Sequence, residues 1–117
     1  MSVSAVSVVV RTTDHDAAIQ RYKRLLGPPE NEFTVPGRGL TITIFHGLSV
    51  VSARADVLAP VRALRAAVFV ESPPVARTEL AASGWTTEGS LGAGSSLLAR
   101  DPDGMLAEFV EIPATGT

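Results

Sequence analysis

Residues 101–109, DPDGMLAEF, carry the strongest structural signal in the sequence. Proline restricts φ to a value suited to a turn, and glycine tolerates positive φ, so residues 101–104 predict a tight turn. Apolar and β-branched residues lie on both sides of the turn, and they predict strands over 95–100 and 105–112. In that hairpin we expect Leu97 to pair with Glu108, and Ala99 with Leu106.

An earlier stretch, residues 14–27 (DHDAAIQRYKRLLG), predicts a helix followed by a stop. Ala18, Tyr22 and Leu25 recur at helical spacing, and the side chain of Asp14 can accept a hydrogen bond from a free N–H of the first turn. Gly27 and the two prolines after it end the helix. A Val-rich strand over residues 5–11 comes before it.

The chain repeats one order of elements, strand-helix-strand-strand-strand, and this order predicts an α+β fold. Matching positions such as Val10 and Val70, or Gly47 and Gly104, stand 57 to 60 residues apart. Such offsets predict two copies of one supersecondary unit within a single domain of residues 1–117, at about 1–55 and 63–117. We expect strands over 5–11, 32–35, 40–45, 48–53, 64–70, 85–88, 95–100 and 105–112, helices over 14–26 and 73–82, and glycine breaks at 37–39 and 92–94.

The amino-acid composition excludes several kinds of catalytic and metal site. The 117 residues include no cysteine and two histidines, His15 and His46. Thiol nucleophiles, zinc–thiolate sites and iron–sulfur clusters are therefore excluded, and little material remains for a histidine-based metal site. Ser95 and Ser96 have no histidine near them in sequence, and His15 stands at an exposed helix start where nothing indicates chemistry. We expect no cofactor.

Charge and hydropathy narrow the choice of partner. Ten basic and twelve acidic residues give a net charge of −2, without the basic excess that nucleic-acid binding needs. The longest run of valines, Val8–Val10, is far shorter than a membrane span. Met1–Ser4 lacks a basic segment, so we expect no secretory signal and a cytoplasmic location.

Two stretches resemble the vicinal oxygen chelate superfamily of glyoxalases, extradiol dioxygenases and bleomycin-resistance proteins. Residues 14–27 are similar to its first-helix pattern D-x-D-x-A-x-x-F-Y-x-x-x-L-G, and residues 101–109 to its hairpin pattern D-P-D-G-x-x-x-E-F. The resemblance implies two β-α-β-β-β units that form a curved mixed sheet around a cleft. It also implies a homodimer.

The resemblance further implies a test for metal binding. Enzymes of this family draw metal ligands from the first and last strands of each repeat, and those positions fall on Ala5, residues 49–51, Arg65 and Glu108. Only Glu108 is an ordinary metal ligand, and one carboxylate is too few for a divalent ion. An alternative use of the positions is an ion pair between Arg65 and Glu108, either structural or oriented toward a ligand. Arg65 pointing into solvent is the third possibility.

Strand alternation suggests which residues line the cleft. We expect Val6, Val8 and Val10 to pack beneath the first helix, and the opposite face to be apolar with a few hydroxyls, which suits an uncharged or aromatic molecule. Trp85 has two interpretations: stacking on a planar ligand or packing under the second helix. The candidate ligand-binding residues are Thr43, Phe45, Val50, Arg65, Phe69, Trp85, Leu97, Leu106 and Glu108.

The leading hypothesis is a metal-independent small-molecule-binding protein of the glyoxalase/bleomycin-resistance type. Its ligand would be apolar or aromatic, and antibiotic sequestration for self-resistance is one specific role. The first alternative is a metal-dependent lyase, isomerase or dioxygenase of the same superfamily with an altered ligand set around Glu108. The second is a regulatory or structural dimer without a ligand.

Overall fold

The computed structural model describes residues 1–35, 37–88 and 96–111. Within these residues the chain forms eight strands, three α-helices and one turn of 3₁₀-helix. In chain order they are β1 (Val3–Thr12), α1 (His15–Leu26), β2 (Asn31–Val35), β3 (Leu40–Phe45), β4 (Leu48–Ser52), α2 (Ala55–Leu58), the 3₁₀ turn (Ala59–Val61), β5 (Leu64–Val70), α3 (Pro73–Ala82), β6 (Thr86–Thr87), β7 (Ser96–Arg100) and β8 (Leu106–Val110). The predicted order of elements and the α+β class are confirmed.

The chain divides into two compact units. The first-repeat unit is Ser7–Ala63, and the second-repeat unit contains Met1–Val6 and the described residues from Leu64 onward. Strand β1 therefore begins in one unit and ends in the other. Some predictions fall outside the described ranges. They are the glycine break at 92–94, the first residue of one predicted strand, Ser95, and the last residue of another, Ile112.

The first-repeat unit has a mixed four-stranded sheet in the order β2-β3-β4-β1, with β1 and β4 parallel and the other pairs antiparallel. A two-residue turn at His46 and Gly47 joins β3 to β4, and Gly47 adopts a positive φ of 77°, which glycine tolerates without steric cost. Helix α1 begins at its N-cap Asp14, whose side chain accepts from the backbone N–H of Ala17.

Helix α1 packs on one face of this sheet through Ala18, which is fully buried against Phe45 and Val50. In the ladder Thr43 pairs with Val50 and Val10 pairs with Val50, so these three side chains project to the same side of the sheet as Phe45. The expectation that Thr43, Phe45 and Val50 face a cleft is therefore wrong. They belong to the face that α1 covers, the face on which the sequence had placed Val10. The expectation that Val6 and Val8 pack beneath α1 as well is wrong, because both side chains are exposed.

The second-repeat unit has the matching order β5-β8-β7-β6, with β5 and β8 parallel and the rest antiparallel. Helix α3 begins with Ser72 as N-cap and prolines in its first turn, where their missing N–H is not needed. The two units thus have the same internal strand order. Helix α3 packs on this sheet through Ala76 and Leu80. These two residues form a buried cluster with Val70, Leu97, Ala99, Ala107 and Phe109.

The register of the β7–β8 hairpin differs from the prediction by one residue. Leu97 pairs with Phe109 and Leu98 pairs with Glu108, while Arg100 instead of Ala99 pairs with Leu106. The cause lies in the loop, because Asp101 Oδ1 accepts from the backbone N–H groups of both Asp103 and Met105 at 2.9 Å. These bonds keep Met105 in the loop, and a one-residue change moves each β7 side chain to the opposite face relative to β8.

Candidate functional site

The candidate site is the face of the second-repeat sheet that lies opposite α3. Alternation along β8 puts Ala107 and Phe109 toward α3 and Glu108 on the other side. Leu106 and Val110 lie on the same side of β8 as Glu108. These three residues and their ladder partners on β5 and β7 form a surface that we call the Glu108 face. It consists of Leu64, Ala67, Phe69, Ser96, Leu98, Arg100, Leu106, Glu108 and Val110.

Glu108 is deeply buried on this face, with 4% of its surface exposed. Its direct ladder partners, Ala67 on β5 and Leu98 on β7, are both hydrocarbon. Burial removes water from the carboxylate and raises the pKa of Glu108 from its ordinary 4.5 to about 7, while a hydrogen bond from the Ser96 side chain acts in the opposite direction. A carboxyl group of this kind changes charge near neutral pH.

The sequence missed Ser96 as the partner of Glu108. Ser96 lies two residues before Leu98 on β7 and therefore shares its face. The predicted register placed Leu97 beside Glu108, and that shift hid the hydroxyl. The signal that could have found it is Asp101 at the start of the turn, because an aspartate in this position commonly accepts from N–H groups further along the loop.

Three predicted ligand-binding residues lie together on the Glu108 face: Phe69, Leu106 and Glu108. Phe69 pairs with Val110, and Leu106 stands two residues before Glu108 on the same strand. Phe69 is 1% exposed and Leu106 is 4% exposed, so hydrocarbon surrounds the carboxyl on this side of the sheet. These three predicted residues therefore share one surface, and their binding of a ligand stays a prediction.

Two other predicted residues lie on the opposite face, against α3. Leu97 is a member of the buried cluster under that helix, so its predicted position next to Glu108 is wrong. Trp85 packs on the same cluster, with its ring 5.5 Å from that of Phe109 in an edge-to-face arrangement. Packing under the second helix, one of the two interpretations of Trp85, is therefore the observed one.

The structure does not join Arg65 to Glu108. Arg65 stands at an irregularity in the β5–β8 ladder, where Leu64 pairs with Leu106 and Ala66 already pairs with Ala107. The extra residue on β5 is typical of a bulge, which re-aims side chains. Arg65 is exposed and Glu108 is buried, and the ion pairs found among the described residues do not include one between them.

The last strand of the first-repeat unit contains no carboxylate. Within the range 49–51, which the resemblance gave as a metal-ligand position, Ser49 is the polar residue, and it pairs with Val9 across the parallel strands. Its hydroxyl lies 2.6 Å from that of Ser7 in a buried hydrogen bond. The first-repeat unit therefore has a pair of neutral hydroxyls in this region, while the second-repeat unit has the Glu108 carboxyl.

These residues do not fit the divalent metal that the fold family implies. A structural or catalytic metal requires three or four converging donors, usually imidazole or carboxylate. Serine hydroxyls bonded to each other are poor substitutes, and Arg65 repels a cation. Across residues 1–35, 37–88 and 96–111, no group of three or more histidine, aspartate or glutamate side chains is placed to hold a metal ion.

Comparison with solved structures gives matches over the whole chain. An uncharacterised protein from Methanosarcina mazei aligns with a TM-score of 0.80 at 22% identity, covering 98% of this chain and 99% of that one. A hypothetical protein from Bacillus halodurans aligns with a TM-score of 0.63 at 15% identity, covering 100% and 99%. These two matches show that the chain shares its fold with known proteins.

The matching structures also include named members of the vicinal oxygen chelate superfamily. A glyoxalase/bleomycin resistance protein/dioxygenase superfamily member from Vibrio splendidus aligns with a TM-score of 0.48 at 13% identity, over 95% of this chain and 100% of that one. Glyoxalase I and lactoylglutathione lyase structures are found as well. No protein-family model and no curated protein sequence matches the chain. In the described residues, no helix is long and apolar enough to cross a membrane.

Proposed function

We propose that this protein is a metal-independent small-molecule-binding protein of the glyoxalase/bleomycin-resistance type, which holds an apolar or aromatic ligand against the Glu108 face. The observation that carries the proposal is a buried carboxyl with a pKa of about 7 on a sheet face whose other members are apolar except for Ser96 and Arg100. Small-molecule sites have this composition, with apolar walls and very few polar groups that fix orientation.

The protonation of Glu108 determines what it offers a ligand. In its neutral form the carboxyl donates an O–H, which suits a carbonyl or ether oxygen on an uncharged molecule. In its ionised form it accepts only, and it attracts a cationic group strongly because little water surrounds it. A pKa of about 7 allows both forms at neutral pH. Phe69 and Leu106 supply the hydrocarbon beside it, while contact between Arg65 and a ligand stays a prediction.

The ligand proposal is tested with three probes of one shape: 2-naphthol, 2-naphthoate and 2-naphthylmethylamine. Calorimetric titrations at pH 6 and pH 8.5 compare a neutral with an ionised Glu108. From pH 6 to pH 8.5 we expect the affinity for naphthoate to fall, and that for the amine to rise, by roughly tenfold, the equivalent of about 1.4 kcal/mol. Naphthol should change least.

Glu108→Gln keeps the shape of the side chain and removes its charge. We expect this variant to bind naphthol and to lose the opposing pH responses to the two charged probes. If the variant keeps both responses, or if the wild-type protein binds none of the probes at millimolar concentration, the proposal is wrong. Failure of all three probes would favour a regulatory or structural protein without a ligand.

Metal retention distinguishes the binding protein from the metal-dependent enzyme. Tag-free protein is dialysed against excess Zn²⁺, Ni²⁺ or Mg²⁺, passed through a desalting column and analysed by elemental mass spectrometry. Because the donor positions contain hydroxyls, one guanidinium and one carboxyl, we expect well under one equivalent per chain. A full equivalent in the wild type that is lost in Glu108→Gln would overturn the proposal in favour of a lyase, isomerase or dioxygenase.

Antibiotic sequestration is the specific role we propose for this binding. A sequestering protein holds its drug without converting it, so native mass spectrometry of protein incubated with planar aromatic antibiotics should show an unmodified drug on the chain. A drug released with an altered mass would indicate turnover and contradict sequestration. We also propose that the chain forms a homodimer, and the Discussion gives the test.

A further inference from the structure

A second group of polar side chains lies in the first-repeat unit, around the beginning of α1. His15 is its centre: its Nδ1 lies 2.8 Å from Oγ of Ser52 at the end of β4, and its Nε2 lies 3.2 Å from Oε1 of Glu32 on β2. Thr43 on β3 donates to the same Glu32 oxygen at 2.6 Å. The sequence had assigned no chemistry to His15, because the four residues meet only through the strand register.

The chemistry of these groups determines the direction of the contacts. An ionised carboxylate can only accept, so Glu32 favours a proton on the imidazole nitrogen facing it, Nε2. In neutral His15 the other nitrogen, Nδ1, then carries a lone pair. Ser52 Oγ–H is the donor at that nitrogen. Thr43 donates to the same carboxylate oxygen, Oε1, and this hydrogen bond restrains Glu32 in the position that faces His15.

A surface pocket adjoins the serine. Its volume is about 270 Å³, enough for a small organic ester. Ser52 itself is 6% exposed, and about a third of the His15 side chain is exposed, so the serine–imidazole pair lies at the edge of the pocket and not in the core. The residues that line the pocket are Thr13, His15, Thr41, Ser52, Ala53 and Arg54.

We propose that Ser52, His15 and Glu32 form an acyl-transfer site for small carboxylic esters. This inference is independent of ligand binding at the Glu108 face. A serine hydroxyl becomes a useful nucleophile when an adjacent base takes its proton and a third group orients that base. Here His15 is the base, Glu32 orients it, and Thr43 is a positioning residue that acts through Glu32.

The step can be written in full. Ser52 Oγ bonds to the ester carbonyl carbon while its proton passes to Nδ1 of His15, which gives a tetrahedral oxyanion. The cationic side chain available to this oxyanion is Arg54, which lines the pocket. Its Nη2 also lies 3.0 Å from Oδ2 of Asp56. The carbon–oxygen bond to the leaving alcohol then breaks, and that alcohol takes the proton from His15. Water, deprotonated by the same imidazole, hydrolyses the acyl-serine and regenerates the hydroxyl.

The first experiment uses a fluorophosphonate, which a nucleophilic serine attacks with formation of a P–O bond and loss of fluoride. After incubation, intact-mass analysis and peptide mapping locate the adduct. We expect one adduct per chain on Ser52, none in Ser52→Ala, and labelling at least ten times slower in His15→Gln. General base catalysis commonly contributes 10²- to 10⁴-fold, so tenfold is a conservative threshold.

Ser49→Ala is the matched control. It removes a buried hydroxyl three residues earlier on the same strand, where the partner is the Ser7 hydroxyl and not an imidazole. Labelling of Ser52 should be unchanged in it. Circular dichroism and thermal unfolding of each variant verify folding. Thr43→Val should slow labelling several-fold, and Thr43→Ser, which keeps the hydroxyl, should restore it.

Hydrolysis of p-nitrophenyl acetate is the second measurement. We expect an initial burst of nitrophenolate close to one equivalent per chain, followed by slower turnover, and loss of the burst in Ser52→Ala. Three results would overturn the proposal: an adduct on another serine, equal labelling rates in folded His15→Gln and wild type, or a burst that survives Ser52→Ala. None of them depends on whether an aromatic ligand binds at Glu108.

Discussion

Glu108 is a residue that lowers stability and that we propose to serve ligand binding. A carboxylate taken out of water without a cation is strongly disfavoured, and the protein avoids much of that cost by keeping the group protonated. The pKa of about 7 reflects that protonation, while the hydrogen bond from Ser96 acts against it by stabilising the ionised carboxylate. An apolar side chain at position 108 would make the folded protein more stable than the buried carboxyl does. The carboxyl therefore fits the proposed role in ligand binding better than a role in folding.

The raised pKa predicts how stability changes with pH. Below pH 4.5 the carboxyl is protonated in the folded and the unfolded chain. Between 4.5 and about 7 the unfolded chain releases the proton while the folded chain keeps it, so the free energy of unfolding falls as pH rises. The loss is complete above the folded-state pKa and is about 3 kcal/mol, from 1.36 kcal/mol per unit.

Glu108→Gln should remove this dependence. Urea unfolding at pH 5, 6, 7 and 8 measures the difference in stability between the variant and the wild type, which we expect to move in favour of the variant as pH rises. Glu111→Gln is the control, because Glu111 is a neighbouring exposed carboxylate, and it should leave the slope unchanged. A constant difference between Glu108→Gln and wild type across this range would show that Glu108 titrates normally.

At the scale of elements, the loop between β7 and β8 determines which side chains face the site. Asp101 Oδ1 accepts two backbone N–H bonds, and the backbone N–H of Asp101 donates to Met105 O at 3.0 Å. The positive φ of Gly104, 95°, completes the loop. These contacts fix the five-residue loop that puts Glu108 opposite Leu98 and brings Ser96 onto its face.

Asp101→Ala should therefore destabilise the hairpin. Hydrogen bonds to a charged acceptor are worth roughly 1.5–3 kcal/mol each when buried, and less in an exposed loop, so we expect a loss of about 1–2 kcal/mol in urea unfolding. Asp103→Ala, which removes an exposed carboxylate from the same loop, should cost under about 0.5 kcal/mol. Equal effects of the two substitutions would contradict a special role for the Asp101 side chain.

The sequence predicts elements well and registers poorly, for a physical reason. Capping residues, prolines and glycines act locally, so α1 after Asp14, α3 after Ser72 and the His46–Gly47 turn can be read from short stretches. Register depends on side-chain bonds such as those of Asp101, and on parallel pairing between β1 and β4, which are far apart in sequence. One shifted residue exchanged Leu97 for Leu98 beside Glu108.

The cluster around His15 could not have been predicted for the same reason. Its members come from α1, β2, β3 and β4, and they meet because Glu32 pairs with Thr43 and Thr41 pairs with Ser52. Nothing in the spacing of residues 15, 32, 43 and 52 suggests a shared site. By contrast, Glu108 was found because the hairpin pattern that contains it is short and continuous.

At the scale of the whole molecule, the two repeats contain different polar groups. Both units have the same strand order, yet the last strand of one contains the buried Ser49 hydroxyl and the last strand of the other the buried Glu108 carboxyl. A pair of identical metal-binding half-sites would require similar donors in both repeats. The two units have instead acquired different polar groups: a protonated carboxyl in the second and hydroxyls with a histidine in the first.

Strand β1 supports the homodimer that we propose for the whole molecule. Val6 and Val8 project from the same side of this strand, and 59% and 60% of their surfaces are exposed. Exposed valines on a strand favour contact with another apolar surface. A second copy of the chain supplies such a surface, since in a two-fold dimer the same patch can meet itself.

Sedimentation velocity at several protein concentrations tests this assembly. We expect wild-type protein to sediment with twice the 12.2 kDa mass of one chain. The double substitution Val6→Thr and Val8→Thr keeps the side-chain shape and adds hydroxyls, so it should weaken dimerisation at least tenfold because unpaired polar groups would be buried. Leu25→Gln changes a 73% exposed side chain on α1 and is the control that should leave the mass unchanged. A wild-type protein that sediments as a monomer at high micromolar concentration would refute the dimer, and a dimer that withstands the double substitution would place its interface away from β1.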